Sequence, residues 1–167
     1  NMAYTLSIIA EETKDIDQRS INKMAESISD ASLNGARGNS GSILAQFFVG
    51  FSEGIGSHKK LNPKRFSKAV DIAKEYSYDA LSEPVEGTIL SVIKDWSNSI
   101  SQLQRKHDDF IQIFNLAYEE AKISLKKTPE KLSILKKSGV VDAGAQGFID
   151  FLKGIKIFIQ NGKIEPV

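Results

Sequence analysis

Three short segments of the chain combine glycine with small polar or charged residues, and each one directly precedes an apolar pattern of helical spacing. The first, Asn34–Gly41, includes Arg37, Asn39 and Ser40. Glycine lets a backbone approach a ligand without a clashing Cβ, and the free N–H groups and dipole of a first helical turn attract anions. This segment therefore predicts a phosphate-binding turn at the start of a helix. Ser40 or Ser42 is expected to cap this helix, and Arg37 to supply a full positive charge. The alternative is a plain turn between helices whose Asn and Ser side chains bond to the free amides.

The second and third segments, Ser82–Thr88 and Gly139–Gly147, also lead into helix N-termini. When helices alternate in direction, turns separated by two helices lie at the same end of a bundle. We therefore expect the three segments to meet at one end, provided that a short helix at residues 129–137 does not span the bundle. Glu86 is expected to cap the following helix, with orientation of a metal-bound water as the alternative. Asp142 is expected to contact a ligand, with a capping role as the alternative.

Apolar residues recur at helical spacing along most of the chain, as in the run from Ile21 to Ile28. No segment shows the alternation of apolar and polar residues that is typical of a half-buried strand. The pattern predicts an all-α fold, with Trp96 and the phenylalanines in the core. Gly50 and Gly54 lower helix propensity, so we expect them to allow close packing between helices. About eight helices are predicted, one of them short, at residues 2–11, 18–33, 41–55, 63–81, 88–104, 108–127, 129–137 and 143–160.

Two prolines mark helix starts. Pro63 follows Asn62 and Pro129 follows Thr128, which is the arrangement of a capping residue before a first-turn proline. Asn62 and Thr128 are therefore both expected to be N-caps.

Composition limits the classes of function. The chain has 22 Lys and Arg against 21 Asp and Glu, a net charge of +1, and no dense basic block, so nucleic-acid binding is disfavoured. It has no cysteine, which excludes a disulfide scaffold and any thiolate metal site. The sequence shows neither a membrane-spanning apolar run nor a signal peptide, so we expect a cytoplasmic protein. At 167 residues we expect one domain, over residues 1–160, with 161–167 as the start of a linker.

The three segments match the motifs of a known family. The matching stretches are Ala36–Gln46, Pro84–Leu90 and Val140–Gly147, in the same order and over nearly the whole chain. The chain resembles the dihydroxyacetone kinase-like (DhaL-type) nucleotide-binding domain, and within it the N-terminal kinase domain of the bacterial fatty acid kinases (FakA-type). The resemblance implies an antiparallel barrel of about eight helices that holds ATP or ADP at one rim and takes part in phosphoryl transfer.

The resemblance also implies roles for residues of the first segment. Asn39 and Ser40 would contact the nucleotide phosphates, and Gly38 and Gly41 would permit the close approach. Arg37 occurs in the fatty acid kinase version of the motif, which does not define its role, and it is a candidate for a further phosphate contact.

Residues of the other two segments would surround the rest of the nucleotide. The resemblance implies that Thr88 lies near the phosphates and Ile89 against the adenine. The residues that would border the ribose and base are Asp142, Ala143 and Gly144.

The metal site of the family lies upstream of the position that Asn1 matches. There the family carries an Asp-rich loop whose aspartates hold Mg²⁺ on the nucleotide phosphates, so no metal ligand is expected in this chain. Because helix termini supply only partial charges, we expect residues 1–167 alone to bind Mg²⁺-nucleotide weakly and not to catalyse. Asn1 itself matches a family position beside the nucleotide.

The phosphoryl acceptor is not specified by these motifs. In the fatty acid kinases it is the carboxylate of a fatty acid held by a fatty-acid-binding carrier protein, and in the sugar-kinase relatives it is dihydroxyacetone on a separate subunit. A third interpretation is a non-enzymatic helical module that docks a partner and uses the glycine segments only as turns. The sequence also leaves open whether the chain forms a homodimer.

Overall fold

The computed structural model describes residues 1–16 and 19–161. Within these ranges all regular secondary structure is α-helical, which confirms the predicted fold class. The chain divides into two compact units, Asn1–Pro84 with the first four helices and Val85–Val167 with the remaining ones. The helices are α1 (Met2–Thr13), α2 (Ile21–Gly35), α3 (Gly38–Ile55), α4 (Pro63–Asp79), α5 (Ile89–Leu103), α6 (Phe110–Lys126), α7 (Thr128–Lys131), α8 (Ser133–Ser138) and α9 (Ala143–Asn161).

Some predictions concern residues outside these ranges. Residue 18, the predicted first residue of the second helix, is one of them, and so are residues 162–167 of the predicted linker. Asn161 still belongs to α9. The single domain over residues 1–160 and the barrel arrangement stay predictions.

Helix α3 packs closely against α4 in the first unit. A Cβ added at Gly50 would lie 2.9 Å from the Cα of Ala73, and one added at Gly54 would lie 2.5 Å from the Cα of Ala69. Any side chain at these two positions would therefore push the helices apart. This confirms that Gly50 and Gly54 serve helix packing.

Trp96 of α5 joins three helices of the second unit. Its ring meets Phe114 of α6 edge-on at 6.1 Å between centroids and Phe148 of α9 at 5.7 Å. All three side chains are buried. Edge-to-face pairs of this kind stabilise a core beyond the burial of apolar area. Trp96 is thus a core residue, as predicted.

The start of α3 differs from the prediction. The helix begins at Gly38 rather than at residue 41, and only Ala36 and Arg37 separate it from α2. The physical reason is the backbone of Gly38, whose φ of +59° lets the chain turn sharply into the helix. Asn39 and Ser40 therefore lie in the first helical turn rather than in a loop.

The predicted short helix at 129–137 is interrupted. Leu132 is extended, with φ −129° and ψ 109°, and it separates α7 from α8. In this conformation its Cβ and backbone nitrogen lie against the backbone of Gly87. A local sequence pattern does not reveal a contact between residues so far apart in the chain.

One of the two proline-marked caps is confirmed. The side chain of Asn62 accepts the N–H of Arg65 at 2.9 Å, so Asn62 caps α4 as predicted. The prediction for Thr128 was wrong, because Lys127 is the N-cap of α7 and Thr128 lies within the helix. Its hydroxyl instead bonds to groups outside that helix turn, which are described below.

Two glycine-to-alanine substitutions within helices are expected to have opposite effects on stability. Gly154→Ala should raise the free energy of unfolding by about 0.5–1 kcal/mol, because alanine is the better helix former and a Cβ at Gly154 meets nothing within 4 Å. Gly54→Ala should lower it by about 1–3 kcal/mol through overpacking. Urea denaturation of both variants measures the difference. Equal stability of the two variants would contradict the packing described for α3 and α4.

Candidate functional site

The turn between α2 and α3 brings the predicted phosphate-binding residues into one helical turn. Gly38, Asn39 and Ser40 are the first three residues of α3, and Arg37 directly precedes them. A Cβ at Gly38 would lie 2.5 Å from Nδ2 of Asn1, so glycine is required here by space as well as by its positive φ. The structure thus places Asn1 beside the start of α3, next to the residues with which the resemblance groups it.

The N-terminus of α3 has no side-chain cap. Its N-cap residue is Arg37, which has no acceptor atom to offer the first amides of the helix. The prediction that Ser40 or Ser42 caps the helix was wrong, because both lie inside it. In the part of the chain that the structure describes, the side chains of Asn39 and Ser40 make no hydrogen bond. The partial positive charge of this helix end is therefore not compensated by a capping oxygen.

Arg37 is held beside this helix end by an aromatic ring. Its guanidinium carbon lies 5.0 Å from the ring centroid of Tyr4 in α1, within the range of a cation–π interaction. Both side chains are exposed. The contact limits the positions that the guanidinium samples while its N–H donors stay accessible. Sequence reasoning missed Tyr4, because nothing in the spacing of the two residues marks them as neighbours.

A buried threonine fixes α1 against the same turn. The hydroxyl of Thr5, which is 0% exposed, donates to the carbonyl oxygen of Gly35 at 2.9 Å. A Cβ at Gly41 would lie 2.7 Å from this hydroxyl oxygen. Gly41 therefore has a packing role in the fold, and its predicted role at the phosphates stays a prediction.

In the second unit, Thr88 caps α5. Its Oγ1 accepts the N–H of Leu90 at 3.3 Å and donates to the carbonyl oxygen of Val85 at 2.7 Å. The prediction that Glu86 caps this helix was therefore wrong. The carboxylate of Glu86 instead accepts from the Ser91 hydroxyl and from the Lys94 ammonium, each at 2.5 Å. Both partners belong to α5, so the Glu86 carboxylate bonds to side chains of this helix.

Asp142 bonds to the N-terminal ends of two helices. Its Oδ2 accepts the N–H of Ala145 in α9 at 2.8 Å and the N–H of Ile89 in α5 at 3.0 Å. The first bond confirms the capping alternative for Asp142. The second joins residues that are 53 positions apart in the chain, and no local signal reveals it. The loops before α5 and α9 therefore adjoin one another.

Gly87 makes room for the α7–α8 junction. Its φ is +82°, and a Cβ there would lie 2.9 Å from the Cβ of Leu132. Its N–H donates to Oγ of Ser91 at 2.8 Å. The loop before α5 is thus held by its own helix and by Leu132 as well as by Asp142.

The remaining predicted residues of the second unit lie along these two loops. Ile89 is buried, at 2% exposure, whereas Ala143 is exposed and Gly144 is half-buried. The structure thus brings Thr88, Ile89 and the start of α9 together. Contact of these residues with ribose and adenine stays a prediction, as does a common ligand with Asn39 and Ser40.

Other features of the described residues bear on the kind of site. Within residues 1–16 and 19–161 no three His, Asp or Glu side chains cluster as metal ligands. None of the helices in those ranges has the length and apolar character needed to cross a lipid bilayer. A groove of about 520 Å³ lies between α5 and α6, and its lining includes Asp95, Gln102 and Glu120 but none of the predicted site residues.

Removal of the Asp142 carboxylate should destabilise the protein, because it leaves two helix-terminal amides without their acceptor. Asp142→Ala is expected to lower the free energy of unfolding by about 2 kcal/mol, and Asp142→Asn, which keeps a carbonyl oxygen, by about half of that. Asp150→Ala is the control, because Asp150 is an exposed residue of the same α9 and accepts only from Gln146. Urea denaturation of the three variants measures these effects. A loss for Asp142→Ala no larger than for Asp150→Ala would contradict the two-helix contact.

The chain matches one family model and several curated proteins. Residues 1–156 match the model of the DAK2 domain. The chain is 40% identical over 167 residues to Protein YloV of Bacillus subtilis, covering all of this chain and 30% of that protein. It is 36% identical over 171 residues to an uncharacterized protein of Staphylococcus saprophyticus, and 36% over 172 residues to one of Staphylococcus aureus strain USA300, covering 98% and 99% of this chain and 31% of each protein. The chain thus spans about a third of the length of these curated relatives. Its match to the DAK2 model over nearly its full length, together with this identity, shows that the chain belongs to the DAK2 domain family.

Proposed function

We propose that this domain binds the phosphates of ATP or ADP at the N-terminus of α3 and serves a phosphotransferase. The observation that carries the proposal is the uncapped start of α3, where Gly38 has a positive φ and Arg37 lies beside the first turn. Free amides at a helix N-terminus attract an anion, and a guanidinium adds a full positive charge that suits phosphate oxygens. Membership of the DAK2 family supports the nucleotide as the anion.

The two loops of the second unit suit a neutral part of the nucleotide. The Asp142 carboxylate lies at the N-termini of both α5 and α9, so its negative charge offsets their partial positive charges. A phosphate there would meet a carboxylate, whereas a ribose or a base would not be repelled. We therefore assign Thr88, Ala143 and Gly144 to the nucleoside, with Ile89 nearest the base.

Mg²⁺ is part of phosphoryl transfer in general, since it neutralises the phosphate charges. Over the described ranges, the side chains offer no cluster of metal ligands. We therefore assign no residue of this chain to Mg²⁺.

For the acceptor, we propose a fatty acid presented by a carrier protein, with formation of an acyl phosphate. The segment Ala36–Gly41 resembles the motif of the fatty acid kinases, in which a long region follows the kinase domain. The curated relatives are longer than this chain, since about 30% of their length matches it, and this leaves room for a further region of that kind. The second candidate acceptor is dihydroxyacetone, which the family description DAK2 favours.

Side-chain truncation at the start of α3 tests the phosphate site. The double variant Asn39→Ala, Ser40→Ala should weaken ATP binding about tenfold, the loss expected for hydrogen bonds to a charged group. Ser42→Ala is the control, because it removes a hydroxyl from the same helix beyond its first turn. Isothermal titration of Mg²⁺-ATP into the natural full-length protein measures both affinities.

Stability should not change in the double variant, since neither side chain bonds to the rest of the described protein. Unchanged ATP affinity in a folded double variant would contradict the proposed phosphate site.

A trapping assay distinguishes the two acceptors. The full-length protein, with ATP and a fatty-acid-loaded carrier, should form an acyl phosphate that hydroxylamine converts to a hydroxamate. The same protein with ATP and dihydroxyacetone should form no phosphorylated sugar. A phosphorylated sugar without any hydroxamate would contradict the fatty acid and identify dihydroxyacetone as the acceptor.

A further inference from the structure

The hydroxyl of Thr128 lies in the interior of the second unit and links two backbone segments. Thr128 is 0% exposed, and its Oγ1 donates to the carbonyl oxygen of Leu125 at the end of α6, at 2.8 Å. The same oxygen accepts the backbone N–H of Asp142 at 3.1 Å. A hydroxyl is suited to this position because it donates and accepts at the same atom. The end of α6 is thereby connected to the residue that caps α9.

The connection continues to the loop before α5. Asp142, held by its N–H on Thr128, bonds through Oδ2 to the amides of Ile89 and Ala145. A displacement of the Asp142 backbone would therefore change the acceptor position for both amides. The geometry of two helix N-termini thus depends on one buried hydroxyl that belongs to neither helix.

A second contact from the same turn reaches the same loop. The N–H of Leu132 donates to the carbonyl oxygen of Thr128 at 3.1 Å, and Leu132 lies against Gly87. This bond uses the backbone of residue 128, so the link that the Thr128 side chain itself supplies is the one to Asp142.

We propose that Thr128 is a positioning residue for the nucleoside-binding loops, acting through Asp142 without touching the nucleotide. The proposal rests on the function proposed above. Replacement by valine keeps the shape of the side chain but leaves the Leu125 carbonyl and the Asp142 amide without their partner. Both loops should then loosen, and the affinity for ATP should fall.

Hydrogen exchange tests the positioning without any ligand. In Thr128→Val the backbone amides of Ile89 and Ala145 should exchange about tenfold faster than in the unaltered protein, as expected for loss of a well-placed acceptor. Thr128→Ser, which keeps the hydroxyl, should restore slow exchange. Ser124→Ala is the control, since Ser124 is a buried hydroxyl one helical turn earlier that donates to Asp95 and not to the loops.

Enzyme kinetics on the full-length protein provides the functional measurement. Thr128→Val should raise KM for ATP about tenfold with little change in kcat, because the loops proposed to hold the nucleoside are displaced. Thr128→Ser and Ser124→Ala should keep KM within about twofold of the original value. Equal KM values for Thr128→Val and Ser124→Ala would overturn the positioning role.

The exchange data and the kinetics together distinguish failure of the proposed function from failure of the proposal for Thr128. If the amides respond as expected but ATP does not bind the unaltered protein, the proposed function is wrong and the proposal for Thr128, which rests on it, is overturned as well. If ATP binds but the amides of Ile89 and Ala145 do not respond to Thr128→Val, the proposal for Thr128 alone is wrong. If Thr128→Val does not fold, hydrogen exchange of the Asp142 amide is measured in the unaltered protein. Fast exchange of this amide would overturn the bond to Thr128 and the proposal with it.

Discussion

A single carboxylate oxygen, Oδ2 of Asp142, joins the N-termini of α5 and α9 in the second unit. It accepts an amide from each helix, so the two helix starts lie side by side. An acceptor shared by two helix ends satisfies donors that would otherwise need water or separate caps. The loops before these helices are the parts of the second unit that the family motifs single out, and their arrangement follows from this carboxylate.

Each of the two units has a buried threonine hydroxyl bonded to a helix end and a glycine with positive φ at a close contact. In each, a fully buried threonine hydroxyl donates to a carbonyl at the end of a helix, Thr5 to Gly35 and Thr128 to Leu125. Each unit also has a glycine of positive φ that leaves no room for a Cβ. Gly38 lies against Asn1 in the first unit, and Gly87 lies against Leu132 in the second. An unmade hydrogen bond is costly for a buried hydroxyl, so the bonds of these two threonines define positions more narrowly than apolar contacts do.

The helix starts of the two units differ in charge, and this difference decides which kind of ligand group each start favours. The N-terminus of α3 has no capping oxygen and has a guanidinium nearby, whereas those of α5 and α9 share a carboxylate. A helix terminus with a free positive end favours an anion, and one with a carboxylate does not. Thus similar glycine-bearing segments are suited to different parts of one class of ligand.

Periodicity and turn chemistry by themselves determined that the chain is helical, where most helices lie and that Asn62 caps α4, because these features depend on residues a few positions apart. They also pointed to Gly50 and Gly54 as packing residues and to the three motif segments. The tertiary structure alone decided that Thr128 bonds Asp142 instead of capping α7, that Glu86 lies beside α5, and that Arg37 rests on Tyr4. The hydroxyl of Thr128 is buried, where an unmade hydrogen bond is costly, so it bonds to the Asp142 amide 14 positions away although a cap is the role that the local pattern suggests. The ring of Tyr4 reaches Arg37 from another helix, and no local pattern marks that contact.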